Sequence, residues 1–549
     1  MHEHPYSRLD KAFAEFLARQ TAFDQDDKAR FIRLLCELSY QLNQGHSCLR
    51  INRDATKLLQ ASGLASENQC APLVIEHGRL YLQRYWYYEN RLAQQLLQLT
   101  EALINTDLSE ALLLQYFPES AVQTDWQRQA AELALTQSLS IITGGPGTGK
   151  TTTVVKILAM LLELSAPPLL IGLAAPTGKA AMRLQQAIAS SKQGLPGSET
   201  IKLQIPETVS TLHRLLGSRP LSPYFLHDRE NPLPHDVLVI DEVSMVDLAL
   251  MSKVVDALKP GARLILLGDK EQLSSVESGA VLADMSAALS AQTLALKKTH
   301  RFDQNIKALA EAVNRQRPDK AWQLLLSGSG NVGLLSGDLI SAIAAKQNGY
   351  LQRIKAGDNF SAILHSFFEF QVLCANRRGR YSVAEINVRV EQHLAARELI
   401  TLSGQWYSGR PVMVTQNDST VQLFNGDIGI CLPDPEQAGR LMVFFNAFDG
   451  QLRKFLPARL PQCETVYAMT IHKSQGSEFD EVLIVLPDKL SPILTKELVY
   501  TAITRARKAV GLWAQEGIFK QAVAQKVERF GGLREKLQQG IKRMQQKES

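Results

Sequence analysis

Apolar positions recur at helical spacing over residues 9–115 (Phe13, Phe16, Leu17; Phe31, Leu34, Leu35, Leu38; Leu92, Leu96, Leu97), with polar breaks such as Asn43-Gln44-Gly45 between them. This predicts a helical domain over residues 1–115. Within it, the run Tyr81-Leu82-Gln83-Arg84-Tyr85-Trp86-Tyr87-Tyr88 is either a partner-docking surface, since Trp, Tyr and Arg are frequent at interface hot spots, or ordinary aromatic core. Beyond Phe117 the pattern changes: short apolar runs at 139–143, 169–174, 237–240 and 264–267 alternate with helical segments. Strands separated by helices predict a parallel sheet with crossover helices. A second set, at 371–374 and 482–486, predicts another α/β unit. The fold class is therefore α/β, with one parallel-sheet domain over 116–300 and a second over 301–549. Residues of about 401–460, rich in Gly, Pro and Asn with β-type runs at 411–415, 428–432 and 441–445, predict a small β-barrel inserted into the second unit. From residue 518 the tail is helical in character and basic, and reads as a solvated face.

With 549 residues, 45% hydrophobic and 21% charged, the chain is excluded from the disordered class and from the single small binding modules. Lys+Arg outnumber Asp+Glu by 60 to 55, which permits a polyanionic partner without demanding one, so charge arguments must come from local sites. Six cysteines, at 36, 48, 70, 374, 431 and 463, form no CxxC pair and no Cys/His cluster. Reduced thiols and no zinc or iron-sulfur site are expected. The polar amino terminus does not read as a signal peptide, and the apolar stretch 157–164 is far short of the roughly 20 residues that cross a bilayer. No membrane association and a cytoplasmic location are expected.

Gly144-Gly145-Pro146-Gly147-Thr148-Gly149-Lys150-Thr151 fits GxxxxGK[ST] and stands where a phosphate-binding loop must, after an apolar strand and before a helical run. Glycines let successive N–H groups point inward, the helix N-terminus adds positive potential, and Lys150 supplies a cation between the terminal phosphates. ATP with Mg²⁺ is the implied ligand, and Thr151 would hold the metal. The run at 237–240 ends in Asp241-Glu242. Asp241 can order the Mg²⁺ shell, and Glu242 can orient and deprotonate an attacking water. A further strand ends in Gly268-Asp269-Lys270-Glu271-Gln272, placing the Gln272 amide as a γ-phosphate sensor. Arg301 and Arg505 are candidate arginine fingers if the second unit faces the phosphates.

These segments, together with Gln127 in 125–130, Ala175-Pro176-Thr177-Gly178-Lys179-Ala180, the run TVSTLHRLLG at 208–217, FNGDIG at 424–429 and TIHKSQGSEF at 470–479, resemble the ordered motif set of superfamily 1 DNA helicases over about 125–510. Within that superfamily they are most similar to the RecD family, the alpha subunits of exodeoxyribonuclease V. The resemblance implies two RecA-like domains with an SH3-like insert. It implies that Gln127 reads adenine and that Gly144, Gly145, Pro146, Gly147, Thr148, Gly149, Lys150, Thr151 and Thr152 hold the nucleotide. Lys150, Asp241, Glu242, Gln272, Arg301 and Arg505 would be catalytic, with Thr151 and Asp241 on the metal. Thr177, Lys179, His213, Thr470, His472 and Lys473 occupy segments that line the single-strand channel in the family, and their donors suit phosphate oxygens without reading sequence. Gln475 and Glu478 would link DNA to nucleotide.

The resemblance further implies an ATP-dependent 5′ to 3′ helicase motor in double-strand break repair by recombination, assembled with RecB-like and RecC-like subunits at a duplex end. Nuclease activity would belong to a partner. Two alternatives stand beside this: a stand-alone RecD-like helicase, and an ATP-switched regulatory DNA-binding subunit without unwinding. The set Lys150, Asp241, Glu242 and Arg505 weighs against a switch, which needs no water-activating carboxylate.

Overall fold

The computed structural model describes residues 6–67, 71–102, 104, 108–118, 125–219, 222–275, 277–297, 303–328, 330–418, 420–446 and 452–548. The chain begins with two packed helices, Arg8–Ala18 and Gln25–Asn43. The first opens on a capping box, in which the Ser7 hydroxyl accepts from Asp10 N–H while the Asp10 carboxylate accepts from Ser7 N–H. Their apolar stripes close over Phe31, Leu35 and Leu38. The N-terminal part is not purely helical, however. Strands β1 (Leu49–Arg50), β2 (Ala65–Ser66), β3 (Leu73–Glu76) and β4 (Arg79–Leu82) form a sheet in the order β1-β4-β3-β2. The aromatic run divides accordingly: Tyr81 and Trp86 are buried, Tyr85 and Tyr88 half-buried, and Tyr87 exposed, so the core reading holds for most of it.

The first parallel sheet comprises β5 (Leu139–Thr143), β6 (Ile171–Ala175), β7 (Ser210–Thr211), β8 (Val237–Ile240), β9 (Arg263–Gly268) and β10 (Thr293–Ala295). Its order is β10-β5-β9-β8-β6-β7. Every residue of β5, β6 and β8 is buried, as a sheet covered by helices on both faces requires. All pairings are parallel, so the loops that follow β5, β8 and β9 emerge side by side at one edge.

The second parallel sheet starts with β11 (Val332–Leu334) and β12 (Phe370–Cys374). Before it is completed the chain makes β13 (Pro411–Val414), β14 (Ile428–Asp434), β15 (Arg440–Asn446), β16 (Leu452–Phe455) and β17 (Cys463–Thr465). These five form an antiparallel sheet in the order β16-β15-β14-β13-β17, with a small core of Val412, Val414, Cys431, Val443 and Phe445. Among the described residues β16 and β17 do not pair with each other, so closure into the expected barrel is not seen. The parallel sheet is completed by β18 (Ala468–Thr470), β19 (Phe479–Val485) and β20 (Ala506–Trp513), in the order β11-β20-β19-β12-β18.

The tail departs from the solvated helix expected of it. Gln525 carbonyl accepts from Lys496 N–H, and Val527 N–H donates to Glu497, holding this stretch to the second sheet's layer. Five residues later Gly532 N–H donates to the carboxylate of Glu89, and the helix Leu533–Glu548 lies against the helix Gln83–Glu101 and the first parallel domain. Leu533 and Leu537 are buried there. Arg529 clasps the loop after Gln272, donating to the carbonyls of Ser275, Glu277 and Gly279. The tail thus bridges both α/β units and the N-terminal region.

Candidate nucleotide and nucleic-acid site

The loop after β5 owes its shape to two residues in the left-handed region, Gly147 at φ 75° and Gly149 at φ 82°. A Cβ on Gly149 would stand 2.5 Å from Gln127 Nε2, and one on Gly144 would stand 2.6 Å from Thr148 Oγ1. The loop is further tied by Thr148 Oγ1 donating to Gly145 carbonyl at 2.9 Å and by Gln127 Nε2 donating to Thr148 carbonyl at 3.4 Å. Lys150 Nζ donates to the carbonyls of Gly144 (2.6 Å) and Gly145 (3.2 Å), which holds the ammonium at the mouth of the loop. The helix Lys150–Glu163 begins here, so its free N–H groups and its dipole face the same space.

Asp241 follows β8, and Glu242 stands at φ 54°, a conformation rare outside glycine and found disproportionately where function holds the backbone. Burial pushes Asp241 up to about 6, the adjoining Glu242 adds to this, and Lys150 opposes it. A divalent cation is the partner that such an acidic pair favours, and Thr151 hydroxyl and Asp241 are the oxygen donors that suit Mg²⁺. Gln127, Gly147, Gly149, Lys150, Asp241 and Glu242 share a cleft of about 560 Å³ with Gln272, Glu478 and Arg505, within the range of small-molecule sites. The residues present fit a nucleoside triphosphate with its metal.

The far wall of the cleft comes from the second α/β unit. Arg505, 1% exposed, donates to Gln272 Oε1 at 2.9 Å, and to the carbonyls of Thr501 (3.2 Å) and Ser477 (3.3 Å). Burial pushes its guanidinium down, while Glu242 and Asp269 pull it up. Tyr500 hydroxyl donates to Asp269 Oδ2 at 3.0 Å and lies 3.1 Å from where a Cβ on Gly145 would be. Asp269 also accepts from Gln272 Nε2 at 3.2 Å. Two further links cross the cleft: Leu273 N–H donates to Thr501 Oγ1, and Gln475 Nε2 donates to Leu273 carbonyl at 3.0 Å. Glu478 pairs with Arg183 from the first unit and with Arg507 from its own. Arg301 lies outside the described residues. Sequence reasoning passed over Asp269, Tyr500 and Arg183; the one local signal was that Arg183 is a helical turn beyond Lys179.

The six residues expected to face a single strand are less uniform. Thr177 spends its hydroxyl capping the helix Gly178–Gln193. Lys179 departs from the expectation: its Nζ is buried with no hydrogen-bond partner, and desolvation pushes it down to about 8 despite the pull of Asp427. Lys179 as a whole is half-buried, and Asp427, the residue before β14, is the acid whose charge acts on it. His213 is exposed and packs edge-on to Phe225. Thr470 ends β18 and accepts from Lys473 N–H; Lys473 Nζ pairs with Glu464 at 2.8 Å. His472 is half-buried and pushed down by burial and by Arg529.

Residues 4–61 match the family described as RecBCD enzyme subunit RecD, N-terminal domain; 127–278 match an AAA domain; and 465–513 match the UvrD-like helicase C-terminal domain. The chain is 41% identical over 468 residues to the RecBCD enzyme subunit RecD of Mycolicibacterium smegmatis, covering 83% of this chain and 82% of that one. It is 35% identical over 530 residues to the same subunit of Haemophilus influenzae, covering 85% and 81%. An ATP-dependent RecD2 DNA helicase of Deinococcus radiodurans is 34% identical over 374 residues, covering 67% of this chain but 46% of its own length. With its phosphate loop, its two parallel sheets and relatives matched along most of their length, the chain belongs to the RecD subunit family.

Proposed function

We propose that this chain is the ATP-driven DNA helicase motor of a RecBCD-type complex, moving 5′ to 3′ on single-stranded DNA at a duplex end during recombinational repair of double-strand breaks. The observation that carries the reading is the ring of contacts across one cleft: Arg505 of one unit on Gln272 of the other, with Lys150, Asp241 and Glu242 lining the same space. Lys150 and Arg505 neutralise charge developing on the transferred phosphoryl group, Glu242 orients and deprotonates the water, and Gln127 holds the base end. Thr151 and Asp241 would hold Mg²⁺, which would supply positive charge at the terminal phosphates. Arg301 is assigned the second finger on the motif resemblance alone. Gln272 and Gln475 carry the closing motion to Thr470, His472 and Lys473, while His213 and Thr177 grip the strand on the first unit. Lys179 acts in support of that grip, through Asp427.

RecB-like and RecC-like subunits are the partners, with the nuclease on one of them. The helix Arg8–Ala18 presents Leu9 and Phe16 at 70% and 63% exposure, an apolar face suited to docking. Among the described residues no helix is long and apolar enough to cross a membrane. The stand-alone reading is weaker, because the RecBCD subunits are matched over 83% and 85% of this chain and the RecD2 helicase over 67% of it. ATP turnover and strand separation, with and without single-stranded DNA, on wild type and Lys150→Gln test the proposal. Turnover indifferent to DNA, or a mutant that unwinds normally, would refute it.

A further inference from the structure

We propose that the C-terminal edge of the second parallel sheet holds a base-binding pocket, in which one unstacked base of a single strand packs into the corner between Tyr381 and Trp513 while Arg380 meets a neighbouring phosphate. The proposal rests on the motor reading, since it supposes a strand crossing this sheet.

The position follows from topology. All strands of this sheet run parallel, so their C-terminal ends share one edge, where ligands of open α/β sheets bind. Along that edge lie Thr470 at the end of β18, the loop after β12, the loop after β19 and Trp513 at the end of β20. Three strand spacings separate the first from the last, about 14 Å. A strand held at Thr470 therefore reaches Trp513 within a few nucleotides.

The pocket encloses about 310 Å³ and is walled by Leu334, Leu335, Leu486, Tyr381 and Trp513, with the carboxylate of Asp488 at its side. The two rings stand 6.2 Å apart at 65°, a corner in which a base stacks on one ring and meets the edge of the other. Asp488 accepts from the amino groups that bases carry on their edges. The loop that leads into Tyr381 is basic: Arg377, Arg378 and Arg380 are exposed within four residues, with Arg377 paired with Glu464 at 2.9 Å. Arg380 lies over the Tyr381 ring at 4.8 Å and is 3.4 Å from Asp488, so the guanidinium already sits where base and phosphate would meet. Tyr381 is held at φ 58°, in the left-handed region, by its N–H donating to Glu385 Oε2 at 2.6 Å. An aromatic residue is seldom kept in that conformation, and here it puts the ring into the pocket wall. An apolar corner with Arg380 at its side, on the same sheet edge as the proposed DNA contacts, fits a nucleic acid better than a protein side chain.

The test uses the full chain and oligothymidylates carrying a single 2-aminopurine moved one position at a time, with anisotropy for affinity. In wild type the fluorescence at one position beyond those gripped by both units changes on binding. In Tyr381→Ala that change is lost and affinity falls roughly fivefold to a hundredfold, the range for removing one base stack. Trp513→Phe keeps the signal. Arg380→Gln alters an exposed side chain, so it folds, and it lowers the slope of log affinity against log salt by about one. If wild type binds the oligonucleotide but no position responds, or if Tyr381→Ala and Arg380→Gln bind as wild type does, the pocket is refuted while the motor reading stands. Failure of wild type to bind any single strand overturns both.

Discussion

Tyr500→Phe removes one oxygen, and that oxygen makes a contact between the two α/β units. The hydroxyl donates to Asp269 Oδ2 at 3.0 Å. Asp269 is 3% exposed and is pushed up by burial, with Lys150, Glu271 N–H, Tyr500 and Gln272 holding it down. Without the hydroxyl, Oδ2 keeps, among the described residues, the Gln272 amide at 3.2 Å. A hydrogen bond to a charged group is worth about 1.5–3 kcal/mol, and because donor and acceptor sit on opposite units the loss falls on closure. At about 1.4 kcal/mol per factor of ten, the ratio of closed to open forms drops roughly 10- to 100-fold. The DNA-stimulated kcat for ATP falls by up to that factor, while the KM for ATP, set largely by the loop on the first unit, changes little. The assay is steady-state ATP hydrolysis at saturating single-stranded DNA, run as a double-mutant cycle with Asp269→Asn. Coupling of at least about 1 kcal/mol is expected. A Tyr500→Phe enzyme with wild-type kcat, or strictly additive single losses, would refute the reasoning.

Arg505→Lys keeps the charge but loses the fork that reaches Gln272 and two carbonyls; hydrolysis should fall about 10³-fold or more with nucleotide binding retained, as read by turnover beside fluorescent-nucleotide titration. Gly149→Ala forces a side chain onto a left-handed residue and into Gln127, so nucleotide binding itself should be lost while the thermal midpoint shifts by only a few degrees; unchanged binding would sink the account of the loop. Burial, and then Glu89, push Asp284 up to about 7, above its unfolded value, so the folded form holds the proton more tightly and stability is lost as pH rises from about 4 to 7. Three pH units correspond to at most about 4 kcal/mol, and partial exposure trims this to about 1–2. Asp284→Asn should therefore melt increasingly above wild type as pH goes from 4 to 8; a constant gap would contradict the sign.

The β-strands at 139–143 (Leu-Ser-Ile-Ile-Thr) and 237–240 (Val-Leu-Val-Ile) were legible because short runs rich in Leu, Ile and Val, flanked by helical segments, have few other ways to be buried. The phosphate loop was legible for a similar reason: its chemistry is made by consecutive backbone groups, so eight adjacent residues specify it. Strand β20 escaped notice because its first residues, Ala506-Arg507-Lys508-Ala509, are half charged, and its pairing with β19 rather than its own composition makes it a strand. The short strands β7, β10 and β11 likewise exist only as partners of longer ones.

What the amino-acid order settled alone was local: where the chain turns, which runs are buried, and which loop wraps a phosphate. Only the tertiary structure decided what meets across distance. Arg505 and Gln272 are 233 positions apart, Tyr500 and Asp269 231, and Gly532 and Glu89 443. It also buried the Lys179 ammonium without a hydrogen-bond partner and laid the tail helix on the N-terminal region. The physical reason is that periodicity reports which face of an element is apolar but not which other face will cover it. That choice belongs to the whole packing, where shape, buried charge and hydrogen-bond satisfaction are settled together.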